Sequence, residues 1–175
     1  MNIVAILYNI RSLHNVGSIF RTADAAGVEK IYLCGITPAP VDRFGKFRPQ
    51  LTKVALGAER YVQWEKISRT NKLIARLKEE GYKIFAVEQS KNAIPYFEIS
   101  NYPIRRSANG IVNKSRKKYA SKVALIFGNE VRGLPKTILR KADKILEIPM
   151  KGKKESLNVA VAFSIVVFHL IHLCR

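Results

Sequence analysis

The sequence predicts an α/β fold in which a mainly parallel sheet carries helices on both faces. Short runs of β-branched and apolar residues recur along the chain, and segments with the spacing of amphipathic helices lie between them. The chain has 175 residues, and 47% of them are hydrophobic, which is enough for a buried core. We therefore expect a single domain over residues 1–175.

Six runs are predicted to form strands: residues 3–8, 30–34, 61–64, 83–87, 123–127 and 144–148. Helical spacing is found in residues 15–27, and again in residues 70–81. In open parallel sheets, ligands bind in the loops beyond the carboxyl ends of the strands. A ligand site is therefore expected just after the runs that end at Tyr8, Val87, Phe127 and Ile148.

The last predicted helix, residues 157–173, is apolar in all but four positions. A membrane tail anchor is one interpretation, but a bilayer span requires about 20 apolar residues. A helix that is buried in the core and also meets a partner fits better. His169 and His172 stand three apart, as metal ligands can, but no third ligand is in view. We therefore predict packing roles for both histidines and no metal site.

The charge balance indicates a polyanionic partner, because 31 Lys and Arg against 13 Asp and Glu give a net charge of +18. Nucleic acid is the leading candidate, ahead of an anionic membrane surface. Residues 43–53 and 105–122 are basic, contain aromatic side chains and lack acidic ones, a combination that suits RNA. The alternative is a solvated charged face. The candidate RNA contacts are Arg43, Lys46, Arg48, Arg105, Arg106, Arg116, Lys117 and Lys118.

The cysteines, Cys34 and Cys174, show neither metal-ligand spacing nor a disulfide framework, which fits a reducing cytoplasm. No Walker phosphate loop is present, because Leu134 and Pro135 stand where "GNEVRGLP" would need Lys and Ser or Thr. A GxGxxG dinucleotide fingerprint is missing as well. With both phosphate-binding motifs excluded, the notable residue after the strand predicted at 123–127 is Gly128, where the backbone can approach a ligand closely. Glu130 lies beside it. An ordinary turn before a helix is the alternative.

Two further segments carry candidate site residues. In "HNVGSIFRTADAAG", Asn15 is a possible helix cap, and Arg21 follows Gly17 by one turn on the same face. A guanidinium there can hold a phosphate and lie near a hydroxyl, although a solvated arginine is the alternative. Before the last helix, Ser156 and Asn158 can cap the helix or present polar groups to a ligand.

Three segments resemble the signature motifs of the SpoU (TrmH-like) branch of the SPOUT RNA methyltransferases. These segments are "HNVGSIFRTADA", "ALIFGNEVRGLP" and "EIPMKGKKESLNVAVA", and they occur in the family's order. The resemblance covers essentially the whole chain. It implies a deep trefoil knot in the C-terminal part of the fold, S-adenosylmethionine bound in that knot, and methyl transfer to a ribose 2′-oxygen of tRNA or rRNA. It also implies a homodimer that packs the first and last helices.

The resemblance assigns roles residue by residue. The catalytic positions that match its motifs are Asn15, Arg21, Glu130, Ser156 and Asn158. Among them, Arg21 matches the arginine that activates the ribose hydroxyl. The positions expected to bind the cofactor are Val87, Gly128, Ile148, Met150 and Leu157. No separate N-terminal RNA-binding domain is expected, so RNA selection would come from the basic loops or the second subunit. A non-catalytic RNA-binding protein on the same scaffold remains the alternative.

Overall fold

The computed structural model describes residues 1–101 and 122–173. In that part of the chain, a seven-stranded sheet has the order β3-β2-β1-β6-β4-β7-β5, and every neighbouring pair of strands is parallel. The strands are β1 (Asn2–Tyr8), β2 (Lys30–Cys34), β3 (Gln63–Ile67), β4 (Lys83–Val87), β5 (Ile94–Pro95), β6 (Lys122–Phe127) and β7 (Lys144–Glu147). Five predicted RNA contacts lie outside the described residues, namely Arg105, Arg106, Arg116, Lys117 and Lys118.

Helices cover both faces of the sheet, which confirms the predicted α/β architecture with a mainly parallel sheet. They are α1 (Leu13–Ala26), α2 (Pro49–Ala55), α3 (Thr70–Glu79), α4 (Lys136–Leu139) and α5 (Val159–His172). One core cluster joins the sheet to α1, α2 and α5, and the other joins it to α3 and α4. Side chains alternate between the two clusters along each strand, so that Leu7 belongs to the first and Ile6 to the second. The continuous apolar runs in the sequence reflect this burial on both sides.

Three local features differ from the sequence-based prediction. The run at 61–64 becomes β3 at Gln63–Ile67, because Ala58–Arg60 forms a 3-10 turn just before it. Helix α2 was missed within a stretch interpreted only as basic, although Pro49 occupies a first-turn position that suits proline. Strand β5 was missed because it has two residues and exists through its pairing with β7.

Helices α1 and α2 approach each other closely at Gly17. A Cβ atom at this position would lie 2.6 Å from the carbonyl oxygen of Leu51. Gly17 is fully buried in the interface between these helices, so the missing side chain lets the two backbones meet. This glycine therefore serves helix packing.

Helix α5 is a core helix, as the second interpretation of the last segment predicts. Phe163, Val166, Val167 and Leu170 are fully buried. No helix in the described part of the chain is long and apolar enough to cross a membrane. His169 packs edge-on against Tyr96, with 5.0 Å between ring centroids. Burial, and then the nearby His172, lower the pKa of His169. The described residues hold no cluster of potential metal ligands.

Candidate functional site

The loops after β4, β6 and β7 surround a cavity at the carboxyl edge of the sheet. It measures about 740 Å³ when the open space at its mouth is included. All five residues expected to bind a cofactor line it, and so do two of the expected catalytic residues: Val87, Gly128, Ile148, Met150, Leu157, Glu130 and Ser156. Strand ends thus bring together residues that lie up to 70 positions apart in the sequence.

The cavity wall is acidic although the chain is strongly basic. Glu88, Glu130 and Glu147 are among its lining residues, which in the described part of the chain include no Lys or Arg. The remaining wall is largely apolar, with Val87 and Ile148 among its side chains. A cationic ligand with an apolar portion suits such a wall, whereas a free nucleotide phosphate would meet carboxylates.

The loop after β6 is folded tightly by Asn129 and Glu88. The side-chain oxygen of Asn129 accepts hydrogen bonds from the N–H groups of Val131 (3.0 Å) and Arg132 (2.9 Å). The carboxylate of Glu88 accepts one from the N–H of Leu134 at 2.6 Å. These bonds hold the turn in which Gly133 adopts a left-handed φ of 61°.

Gly128 lies against the far end of the same loop. A Cβ atom here would lie 2.6 Å from the carbonyl carbon of Gly133 and 2.8 Å from the nitrogen of Leu134. Since these are backbone atoms, no side-chain rotation would relieve the contact. The closed loop and the shape of the cavity at this point therefore depend on a glycine at position 128.

Glu130 ties this loop to the start of α1. Its carboxylate accepts hydrogen bonds from the N–H of Arg11 (3.0 Å), the N–H of Ser12 (3.1 Å) and the side-chain amide of Asn15 (3.0 Å). Burial pushes the pKa of Glu130 upward, but these bonds and one from its own N–H together lower the pKa below its ordinary value. The carboxylate is thus ionised at neutral pH, as suits a group beside a helix N-terminus.

Asn158 links the third segment to the first. Its side-chain amide donates to the side-chain oxygen of Asn15 at 3.0 Å. Its own side-chain oxygen accepts from the N–H of Ala160 at 2.9 Å, which caps α5. The chain of bonds from Glu130 through Asn15 to Asn158 therefore connects all three segments that resemble the family's motifs. We call these three residues the polar relay.

The prediction of Asn15 as a helix cap is wrong. The cap of α1 is Ser12, whose hydroxyl oxygen accepts from the N–H of Asn15 at 3.2 Å. Asn15 lies in the first turn, where its side chain is free to join the polar relay. The sequence does contain the signal, because Ser is a preferred capping residue and its hydroxyl reaches the amide three positions on.

Arg21 does not reach this cavity in a single chain. It is exposed, and within the described residues it makes no hydrogen bond or ion pair. Six residues separate it from Asn15, which on a helix is about 9 Å along the axis and about 120° around it. Ser156, in contrast, lies at the exposed mouth of the cavity. The structure therefore does not bring Arg21 together with the other predicted catalytic residues.

The loops after β1 and β2 complete this edge of the sheet. Asn9, in a left-handed conformation, accepts a bond from Asn129 at its carbonyl oxygen (2.7 Å) and one from the N–H of Ile36 at its side chain (3.0 Å). The buried hydroxyl of Thr37 accepts from the N–H of Ile10 at 3.0 Å. The sequence analysis did not single out Asn9, Thr37, Glu88 or Asn129, although Asn9 and Glu88 directly follow a strand.

Of the predicted RNA contacts, the structure describes Arg43, Lys46 and Arg48. All three lie in the loop between β2 and α2, at the same edge of the sheet as the cavity. Arg43 and Lys46 are exposed, whereas Arg48 is half-buried and directly precedes α2.

Known proteins resemble this chain in both sequence and fold. Residues 2–168 match the model of the SpoU rRNA Methylase family. The chain is 32% identical over 158 residues to the 23S rRNA (guanosine(2553)-2'-O)-methyltransferase RlmP of Bacillus subtilis, covering 89% of this chain and 52% of that protein. It is 28% identical over 160 residues to the tRNA (guanosine(18)-2'-O)-methyltransferase of Aquifex aeolicus, covering 91% of this chain and 64% of that protein. The chain thus spans between half and two thirds of these curated relatives.

Solved structures agree with this relationship. An AdoMet-bound rRNA methyltransferase from Sinorhizobium meliloti superposes with a TM-score of 0.76 at 26% identity, over 96% of this chain and 55% of that one. The TrmH/SpoU tRNA-modifying enzyme of A. aeolicus gives a TM-score of 0.76 at 25% identity, over 98% of this chain and 75% of that one. With a family match over nearly its whole length, this chain belongs to the SpoU rRNA methylase family.

Proposed function

We propose that the protein is an S-adenosylmethionine-dependent RNA methyltransferase that modifies a ribose 2′-hydroxyl of tRNA or rRNA. The observation that carries this proposal is the polar relay, which joins the three family-like segments beside a cavity at the carboxyl edge of the sheet. The related proteins named above are 2′-O-methyltransferases of tRNA and rRNA.

The cavity suits this cofactor on its own chemistry. S-adenosylmethionine carries a sulfonium cation, an ammonium group, a carboxylate and a flat adenine ring, so its net charge is positive. The wall offers three glutamates together with apolar side chains. Val87, Ile148 and Leu157 would hold the apolar parts, and the backbone exposed at Gly128 would approach closely. The bound cofactor supplies an electrophilic methyl group, and a +18 chain attracts the RNA that accepts it.

The chain's own residues would act mainly by alignment. A ribose 2′-hydroxyl is a poor nucleophile, so its position relative to the methyl group governs the rate. Arg21 would hydrogen-bond the hydroxyl and hold a neighbouring phosphate, because a guanidinium is a poor base. The hydroxyl proton would leave through that phosphate to water as the oxygen–methyl bond forms, and the broken sulfur–methyl bond would release S-adenosylhomocysteine. The polar relay would keep the loops around the cavity in register, with ionised Glu130 as its fixed anchor.

Calorimetry with S-adenosylmethionine and transfer of labelled methyl groups to unmodified RNA test this function. We expect Arg21→Ala to lose transfer and to keep wild-type cofactor affinity. Arg140→Ala, which removes an exposed arginine after α4, is the matched control and should keep both. A wild-type protein that binds no cofactor would refute the proposal. RNA binding without methyl incorporation, unchanged by Arg21→Ala, would favour the non-catalytic alternative.

We also propose that the C-terminal part of the chain is knotted. Strand β7 lies between β4 and β5, and residues 88–93 join those two strands across the end of β7. The N–H of Glu88 donates to Leu146 at 3.0 Å, and the side-chain amide of Gln89 donates to Ile148 at 2.8 Å. The chain that leaves β7 lies next to this bridge. A knot forms if residues 148–158 thread through the loop that the bridge closes before the chain forms α5. A crystal structure that traces residues 148–158 clear of the bridge would exclude a knot.

A homodimer that packs α1 and α5 is part of the same proposal. Val161 and Phe168 on α5 are apolar and 47% and 48% exposed, respectively, and Ala25 of α1 borders the groove beside Phe168. Phe168→Asp should produce a monomer in sedimentation experiments, whereas Leu56→Asp, at an exposed position after α2, should not. A dimer that survives Phe168→Asp would argue against this face.

We also propose a cytoplasmic location, because RNA is the proposed substrate.

A further inference from the structure

Residues 41–47 form a short hairpin in the loop between β2 and α2. Val41 and Phe47 pair as antiparallel partners, and the left-handed φ of 77° at Gly45 closes the turn. One carboxylate oxygen of Asp42 accepts hydrogen bonds from the N–H groups of Phe44 (2.8 Å) and Lys46 (3.0 Å). Hydrogen bonds within the hairpin therefore hold its tip, and the carboxylate of Asp42 is the acceptor in two of them.

Two aromatic rings on this hairpin are exposed, and each pairs with a guanidinium. Arg43 lies 4.7 Å from the centroid of Phe44, whose side chain is 70% exposed. Arg60, from the turn after α2, lies 4.9 Å from the centroid of Phe47, which is 43% exposed. We call Arg43, Phe44, Phe47 and Arg60 the cation–aromatic platform. Apolar rings this accessible, surrounded by positive charge, are typical of a binding surface rather than a core.

We propose that this platform binds unpaired nucleotides of the RNA substrate by stacking. Aromatic rings and arginine planes bind single-stranded bases in this way, and a duplex keeps its bases stacked inside. Phe44 and Phe47 lie on the same short hairpin, three residues apart, so one single-stranded segment can contact both rings. The inference rests on the proposed function, which makes RNA the substrate.

The loop that carries the platform is attached at its start to the loops around the cavity. The ammonium of Lys66 donates to the carbonyl oxygen of Gly35 at 2.6 Å and also to that of Thr37. Thr37 in turn binds the loop after β1, which carries the donors to Glu130. An unpaired RNA segment bound on the platform is thus held at the same edge of the sheet as the methyl-transfer site.

Binding of three RNAs tests the platform: a single strand, the same strand with abasic sites, and its duplex. For the Phe44→Ala/Phe47→Ala double variant we expect single-strand affinity to fall about 10- to 100-fold. Duplex and abasic affinities should stay within about twofold. Lys46→Gln should weaken all three RNAs alike and lower the salt slope by about one. Leu56→Ala, also exposed and apolar, is the control and should change nothing.

The outcomes separate this inference from the proposed function. Equal losses for single strand and duplex, or no loss for either, would overturn the platform. A double variant that sediments as a smaller species than the wild type would identify the surface as an interface between copies of the chain and would also overturn it. If the wild type binds no S-adenosylmethionine but the double variant shows the expected single-strand loss, the methyltransferase proposal is refuted and the platform stands.

Discussion

Gly128→Ala is the sharpest test of how the cavity is built. The new methyl group would lie 2.6 Å from the carbonyl carbon of Gly133 and 2.8 Å from the nitrogen of Leu134. Ordinary contacts between such atoms require about 3.5 Å or more. The loop formed by residues 129–134 would therefore have to move outward by about 1 Å.

That movement acts directly on a short hydrogen bond. The N–H of Leu134 lies 2.6 Å from the carboxylate of Glu88, and an outward shift of about 1 Å would break this bond. Loss of a hydrogen bond to a charged group costs about 1.5–3 kcal/mol, and forcing an extra methyl group into a packed site costs about 1–3 kcal/mol. Because part of the strain relaxes, we expect a loss of about 2–4 kcal/mol. For a chain of this size, where 1 kcal/mol lowers Tm by about 2–4 °C, that loss lowers Tm by about 4–16 °C.

Thermal unfolding and calorimetric titration with S-adenosylmethionine measure both consequences. Gly152→Ala is the matched control, because a Cβ atom at that position meets nothing within 4 Å. We expect Gly128→Ala to melt well below this control and to lose at least tenfold in cofactor affinity, since the displaced loop lines the cavity. If the two variants have the same Tm and affinity, the loop does not depend on a glycine at position 128, and the reasoning fails.

Three further predictions follow from the described contacts. Since the pKa of Glu130 lies below its ordinary value of 4.5, its contribution is present above that pH and is lost as the pH falls further. The stability difference between wild type and Glu130→Gln, about 1 kcal/mol at pH 7, should therefore shrink between about pH 5 and pH 3 in urea unfolding. Burial raises the pKa of Cys34 to about 11, so in a Cys174→Ser variant a thiol reagent at pH 8 should label it only after denaturation; labelling of the folded protein would count against its burial. Gly17→Ala should cost about 1–3 kcal/mol in urea unfolding, because its methyl group meets the Leu51 carbonyl at 2.6 Å; an unchanged midpoint would contradict this packing.

The parts of the fold that the sequence predicts are those that local pattern determines. Strands buried on both faces appear as apolar runs, and residues 30–34 and 83–87 match β2 and β4 residue for residue. Strand β5 was not predictable in this way, because its two residues depend on a partner strand more than 50 positions away. The candidate site likewise has one part that local pattern predicts and one part that depends on distant residues. Its position after the strand ends follows from the sheet, but the bond from Leu134 to Glu88 spans 46 residues and has no local signature.

Arg21 does not line the cavity, so the proposed function predicts that cofactor binding and methyl transfer can be separated. Arg21 lies about 120° around α1 from Asn15 and one turn before Ala25, which borders the groove beside Phe168. In the proposed dimer, a second copy on this face would lie beside Arg21, and the described residues that line the cavity include no arginine. The cavity itself is built from the strand ends of one chain, so it needs no partner. We therefore expect monomeric Phe168→Asp protein to bind S-adenosylmethionine with wild-type affinity and to lose methyl transfer. Full transfer by the monomer would show that Arg21 serves its own chain's cavity.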